Sequence, residues 1–323
     1  MQYIDRIYGK VKITEPIILE LINSSTVQRL KEIDQAGYLE PHFPGTAHSR
    51  FEHSVGVYLL LKIYNAPIEE QVAGLIHDVS HSAFSHCIDY VLDAGSEKEH
   101  NHQDNVFDEF VRKSAIPEIL EKYNLDLEYI LADKNFPLKE TDLPDLCADR
   151  IDYSLRTATV FKEIEGGKYF IDNLAAEKGR WVFKNFESAE KYAELFLKIN
   201  ANYYSGLPSA VMFRTVGDYL RYALAKGYVS TADLYTTDKI VLSKIEPHLK
   251  TDPKLSLLFD RMNNKIGFRN DPDYGEKTFC KSRAVNPLFR HNGEIKRVSE
   301  VKPEWKEIIK RDSRPKEYFL KFD

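Results

Sequence analysis

The chain has 323 residues, 43% hydrophobic and 29% charged, with a net charge of -5, the balance of a soluble globular protein large enough for one big core or two modest ones. No stretch approaches the roughly 18 apolar residues of a membrane span, and Met1-Gln2-Tyr3-Ile4-Asp5-Arg6 lacks the basic and apolar regions of a signal peptide, so a cytoplasmic protein without membrane association is expected. Cys87, Cys147 and Cys280 are odd in number and widely spaced, which argues against a disulfide framework or a Cys-x-x-Cys zinc site and for reduced, buried thiols.

In chain order, residues 9–13 form a weak strand candidate, and residues 16–22 and 26–36 read as two short helices. Ser24 and Ser25 are capping candidates for the second helix and Gly37 is its stop. After a loop marked by Pro41, Pro44 and Gly45, residues 49–64 carry apolar side chains on overlapping helical faces, and Pro67 opens a helix toward Ile76. Further helical patterns follow at 105–112, 117–123, 144–161, 189–201 and 210–226. Residues 168–174 and 180–186 read as strands around a connector with Gly179, a small hairpin, and 317–322 alternate as a strand would. The expected fold is mainly α with small β-hairpin appendages. Three parts are expected: a helical core at 1–160, a helical continuation at 161–275 with its hairpin near 168–186, and a basic segment at 276–323.

Eight of the ten histidines fall between His42 and His102. Histidine is the commonest metal ligand among side chains and exchanges protons near neutral pH. The crowding fits either a metal sphere of imidazoles and carboxylates or a positively polarised cleft that receives phosphate oxygens. His77 and Asp78 end a predicted helix, where the backbone turn can aim both at one point. His53 lies on the preceding helix, and Asp149 begins a face continued by Tyr153 and Arg156. Two imidazoles and two carboxylates would leave open positions on a divalent ion that activates water and polarises phosphorus. Taken singly, each residue has a duller role: His53 as a buried histidine, Asp78 as a helix cap, Asp149 as the partner of Arg150 or Arg156.

The stretches His48-Ser49-Arg50-Phe51-Glu52-His53-Ser54-Val55-Gly56, His77-Asp78-Val79-Ser80-His81-Ser82-Ala83-Phe84-Ser85-His86 and Ala148-Asp149-Arg150-Ile151-Asp152-Tyr153 resemble the HD-domain phosphohydrolases, and within them the deoxynucleoside triphosphate triphosphohydrolases. The resemblance covers about residues 5–160 and 195–270. It implies a helical HD-domain bundle with one divalent metal ion (manganese, iron, magnesium, zinc or nickel) on His53, His77, Asp78 and Asp149. It implies catalytic roles for His102 as general acid, His81 and Asp78, and substrate contacts from Arg50, Gln35, His86, Arg150 and Tyr153. Hydrolysis of deoxynucleoside triphosphates to nucleoside and triphosphate follows from it, as does assembly into a homo-oligomer.

Departures from that pattern widen the reading. Thr157 stands where these enzymes carry an Asp that contacts the sugar, and Asn23 and Lys31 stand where nucleotide-activated relatives use Asp and Arg. Lysine cannot reproduce the bidentate fork of arginine, so guanine-nucleotide activation is not expected. Hydrolysis of another nucleotide or phosphate ester stays open, as does a nucleotide or nucleic-acid binding protein with a weakly active metal site. Residues 277–317 carry 12 Lys and Arg against 6 Asp and Glu, with aromatic residues interspersed. That segment reads as a solvated face or subunit contact, or as a surface for anions or nucleic acid.

Overall fold

A computed structural model describes residues 1–92 and 95–323. The chain opens with an antiparallel hairpin, β1 (Gln2–Asp5) and β2 (Gly9–Lys12), then α1 (Pro16–Asn23) and α2 (Ser25–Gln28), which tightens into a 3-10 turn over Arg29–Glu32. Helices α3 (Arg50–Ile63) and α4 (Ile68–Ile76) follow, then α5 (His102–Arg112), α6 (Ile116–Lys122), α7 (Leu127–Leu131) and α8 (Ala148–Val160). Next come α9 (Lys168–Asp172), the hairpin β3 (Leu174–Glu177) and β4 (Arg180–Phe183), α10 (Phe186–Ile199), α11 (Leu207–Ala225), α12 (Asp238–Ile245) and α13 (Pro253–Met262). The chain closes with β5 (Phe268–Asn270), β6 (Glu276–Cys280), β7 (Leu288–His291), β8 (Glu294–Arg297), α14 (Val298–Val301), α15 (Trp305–Asp312) and β9 (Lys316–Phe322). The architecture is mainly α with small separate sheets. Among the described residues no helix is long and apolar enough to cross a membrane, and all three cysteines are free and buried.

Helix α3 is the axis of the packing because it is apolar nearly all round. Val55, Tyr58 and Leu59 face a core shared with α1, α4 and α6, while Val57, Leu60 and Leu61 face a second core with α8, α10 and β4. Each such side chain, fully buried, stabilises by about 1.5–3 kcal/mol. A third core holds α11, α12 and α13 against the turn after the His-Asp motif.

The structure departs from the expected elements at three places. The helix expected at 26–36 ends early: Ile33 is extended at φ -120°, and the Asp34 carboxylate accepts from the backbone N–H groups of Ala36, Gly37 and Leu39. A short carboxylate offering such bonds competes with the helix ladder. Residues 168–172, expected as strand, are helix α9, spanned by a Lys168–Asp172 ion pair at 2.6 Å, the i,i+4 spacing that supports a helix. The strands of the hairpin are Leu174–Glu177 and Arg180–Phe183, joined through Lys178 and Gly179, both at positive φ, as a primed two-residue turn requires. The second strand stops at Phe183 because the Asn185 side chain caps α10, accepting from Ser188 N–H at 2.9 Å.

Residues 276–323 are woven through the molecule. Strand β7 lies parallel to β4, giving the order β3-β4-β7-β8, and β9 runs between β5 and β6. Val285, Phe289, Val298 and Trp305 from this segment enter the second core.

Candidate metal centre

Three helix ends converge. His53 sits one turn into α3, whose N-terminus is capped by Ser49 Oγ accepting from Glu52 N–H at 3.3 Å. His77 and Asp78 follow the last residue of α4, and Asp149 lies in the first turn of α8. His53 Nε2 is 2.8 Å from Asp149 Oδ1 and 3.2 Å from His77 Nε2, and His77 Nε2 is 3.4 Å from Asp149 Oδ1. Donor atoms of these three residues all lie within 4.8 Å of one another. Asp78 joins them from the side, with Oδ1 3.4 Å from His77 Nε2 and Oδ2 3.7 Å from His53 Nε2.

The far side of each imidazole fixes which nitrogen faces this point. His53 Nδ1 is 2.8 Å from Asp152 Oδ2 and His77 Nδ1 is 2.8 Å from the Gly74 carbonyl. Both partners are acceptors, so each Nδ1 carries a proton and each Nε2 is the nitrogen turned to the common point, the arrangement that orients metal-bound histidines. Two nitrogen and two carboxylate donors suit a first-row divalent ion, and the residues fit such a group. Burial opposes a charged His53, but its bonds to Asp149 and Asp152 push it up to about 9. Burial likewise opposes ionisation of Asp78 and Asp149; Arg50 and His77 on the former, His53 and His77 on the latter, hold both well below the usual carboxylate range. A cation held by these donors would take the place of the proton that the two carboxylates favour on His53.

Behind His53 stands a buried network that the sequence reading did not single out. Arg156 donates to Asp152 through Nε at 2.9 Å and Nη2 at 2.8 Å, and reaches Asp5 Oδ2 at 3.1 Å. Tyr8 Oη donates to Asp152 at 3.0 Å. Arg156 therefore does not continue the face of Asp149 and Tyr153; it locks the carboxylate that orients His53. A Cβ on Gly56 would lie 2.1 Å from both Arg156 Nη2 and Asp152 Oδ1, so α3 needs a glycine where the pair crosses it. The signal was Asp152 and Arg156 at i,i+4 beside a glycine one turn from His53.

A cleft of about 510 Å³ opens on the centre and is lined by His77, Asp78 and Asp149 together with most of the expected contacts: Gln35, Arg50, His81, His86, Arg150, Tyr153 and Thr157. Arg50 donates through Nη1 to Asp78 at 2.7 Å and through Nε to Ser85 Oγ at 3.0 Å, leaving Nη2 buried without a partner. Gln35 Oε1 and the Tyr153 hydroxyl are also buried and unpartnered, while His86 Nδ1 faces Asp89 Oδ2 at 3.5 Å. His81 Nε2 lies 3.3 Å from Asp78 Oδ1; burial and Arg50 push it down to about 4, so it is neutral at pH 7. Arg150 is largely committed to its own loop, donating to the Asp145 carbonyl at 2.7 Å.

His102 does not reach this cleft. It opens α5 with its N–H on Asp89 Oδ1 at 2.9 Å, and its Nε2 lies 3.0 Å from the Tyr235 hydroxyl, beside a second hollow that Tyr235 lines. His100 lines the cleft instead, stacked on His86 with ring centroids 5.1 Å apart. Its left-handed backbone, φ 47°, turns the ring inward. A spacing of two residues across a helix start puts the two imidazoles on opposite sides, and spacing alone does not say which one faces the cleft.

The motif loop is itself held in an uncommon shape. Phe84 and Ser85 both have left-handed φ, 60° and 44°, a conformation that costs about 1–3 kcal/mol per residue and persists only when its surroundings enforce it. Asp238 Oδ1 accepts from Phe84 N–H at 2.7 Å, and Ser85 Oγ donates to the Asp34 carbonyl. Arg29 adds bonds to the carbonyls of Val79 at 2.6 Å and His81 at 2.8 Å.

Comparison with known proteins places this centre in a family. A model of the HD domain matches residues 50–157, the stretch that holds His53, His77, Asp78 and Asp149. The uncharacterized protein YdhJ of Bacillus subtilis is 36% identical over 290 residues, covering 89% of this chain and 88% of that one. The metal-dependent phosphohydrolase cns2 of Cordyceps militaris is 37% identical over 176 residues, 53% of this chain and 50% of cns2. The deoxynucleoside triphosphate triphosphohydrolase SAMHD1 of Homo sapiens is 32% identical over 141 residues, 38% of this chain and 22% of SAMHD1. With its helical fold and its converging imidazoles and carboxylates, the chain belongs to the HD-domain superfamily of metal-dependent phosphohydrolases.

Proposed function

We propose that the protein hydrolyses nucleotides at one divalent ion held by His53, His77, Asp78 and Asp149, with deoxynucleoside triphosphates as substrates and nucleoside plus triphosphate as products. The observation that carries the reading is the set of orphaned polar atoms on residues lining the cleft: Gln35 Oε1, Arg50 Nη2 and Tyr153 Oη. Buried polar groups are nearly always satisfied, and a ligand with phosphate oxygens at one end and a sugar at the other would satisfy these. The likeness to a deoxynucleoside triphosphate triphosphohydrolase over 38% of the chain supports the substrate class.

When bound, the ion supplies activation of water and polarisation of phosphorus. Arg50, bonded to Asp78, keeps Nη2 free to take a phosphate oxygen while neutralising the centre. Tyr153 and Gln35 border the sugar. His100, His86 and His81 are held neutral by burial and act as hydrogen-bond donors to phosphate; a bound phosphate beside them favours the imidazolium, the form that can pass a proton to the leaving oxygen. His100 takes the place beside the leaving group that the sequence had suggested for His102.

Thr157 favours a second reading, hydrolysis of a simpler nucleotide ester, because a hydroxyl replaces the carboxylate expected to grip the sugar. One experiment separates the two. The protein is incubated with each of the five divalent metals and with mono-, di- and triphosphates of one deoxynucleoside, and the products are resolved. Nucleoside with inorganic triphosphate is expected; orthophosphate from the monophosphate alone would select the second reading, and no turnover would reject both.

A further inference from the structure

The basic C-terminal segment is left unexplained by the metal centre. Most of its cations are neutralised locally: Lys277 by Glu317, Arg290 by Glu177, Arg297 by Asp145, Lys302 by Glu190 and Lys316 by Asp312. Lys281 and Arg283 form no ion pair among the described residues, and both line the cleft.

Their placement is enforced by the residues between and beside them. Cys280 Sγ donates to the Tyr204 carbonyl at 3.1 Å, Ser282 Oγ donates to the Asp312 carbonyl at 2.6 Å, and Arg283 N–H donates to Asn200 Oδ1 at 3.0 Å. Asn200 Nδ2 completes the clamp by donating to Ser282 Oγ at 3.0 Å. Cys280, Ser282 and Ala284 are buried, whereas Lys281 and Arg283 are half-buried. That alternation is the period of extended backbone, so anchoring every second residue inward presents the two cations to the cleft.

The corner they face holds charges of both signs, since Asp104, Glu99 and Asp89 act on Lys281 without pairing with it. Both cations, with Arg50, bear on His86 and help keep it uncharged, although burial is the larger cause. Burial pushes the Lys281 ammonium down to about 8, Arg283 adding to the effect; an anion beside it would reverse both penalties. His86, Asp89 and His100 could hold a cation by spacing alone, but Lys281 and Arg283 bear on both of these histidines, and positive charge so near disfavours a cation there.

We propose that Lys281 and Arg283 form an anion-binding strip that holds the phosphates of a nucleotide beyond the one at the metal centre, so that the C-terminal segment sets a preference for nucleoside triphosphates over monophosphates. The strip deepens the nucleotide phosphohydrolase reading and rests on it for its substrate. Its test does not need turnover. Inorganic triphosphate is titrated calorimetrically into the full chain without added metal, for the wild type, Lys281→Ala, Arg283→Ala and the double variant. In parallel, kcat/KM is measured for the tri- and monophosphate of one deoxynucleoside.

The double variant is expected to bind inorganic triphosphate at least tenfold more weakly, and its triphosphate-to-monophosphate ratio of kcat/KM should fall at least tenfold. Lys281→Arg, which keeps the charge, should retain most of both. Unchanged triphosphate binding, or an equal fall of kcat/KM for both nucleotides, would overturn the strip. If the wild type binds inorganic triphosphate through these residues yet hydrolyses no nucleotide, the strip stands and the nucleotide reading fails. Should the double variant not fold, Lys281→Gln alone carries the same two measurements.

Discussion

The two walls of the cleft are built on opposite principles. On the metal side both imidazoles are oriented from behind, His53 by Asp152, itself held by Arg156 and Tyr8, and His77 by the Gly74 carbonyl. On the facing side Lys281, Arg283, Gln35 and Tyr153 present charged or polar atoms that have no protein partner among the described residues. A centre that must hold an ion in one geometry needs supporting bonds, whereas a wall that receives a charged substrate needs bonds left to make. The contrast separates chemistry from recognition. It predicts that changes on the metal side remove activity for every substrate and changes on the other side redistribute it.

The sharpest break is His77→Ala, which should abolish hydrolysis of all nucleotides together, measured by product release at saturating metal; selective loss for one substrate would blur the division. Asp152→Asn keeps the size of the orienting side chain but removes its charge. It should weaken metal affinity about 10–100-fold, the usual effect of losing such a partner, as read by calorimetric titration of Mn²⁺, with excess metal restoring turnover. Rescue that fails at high metal would show that Asp152 does more than orient His53.

Gly56→Ala tests the same network through packing. With the new Cβ 2.1 Å from the paired Arg156 and Asp152 side-chain ends, overpacking should cost about 1–3 kcal/mol, seen as a lower midpoint in urea unfolding; an unchanged midpoint would mean that Arg156 moves aside freely. The smallest expected effect is His102→Ala, less than about threefold in kcat, because its ring faces Tyr235. His100→Ala should slow kcat by about 100-fold, the scale of lost proton transfer. The reverse order would restore His102 to the reacting groups.

The metal side was legible in the sequence; of the facing wall, Gln35 and Tyr153 were, and Lys281 and Arg283 were not. His53, His77, Asp78 and Asp149 are announced by helix ends and short spacings, since His77 and Asp78 are neighbours and the helices that bring the other two are periodic. Helix α3 could be read because its apolar residues cover several faces. Residues 168–172 were misread because Tyr169, Phe170 and Ile171 favour strands locally, while Lys168 and Asp172 close a helical turn. Lys281 and Arg283 lie more than 120 residues beyond Asp149 in the chain, and only the pairing of β6 with β9 and the clamp by Asn200 carry them to the cleft. Net charge flagged their segment without saying which of its cations reach the cleft. His102 shows the finest limit: two residues of offset at a helix start decide which imidazole turns inward.

The central claim is that one divalent ion on His53, His77, Asp78 and Asp149 performs the hydrolysis. The most direct measurement compares metal content and nucleotide turnover in wild type and Asp149→Ala, purified in parallel and shown by circular dichroism to share a fold. About one bound divalent ion and turnover are expected in the wild type, with both lost in the variant. A folded Asp149→Ala protein that still hydrolyses nucleotides at the wild-type rate would contradict the account.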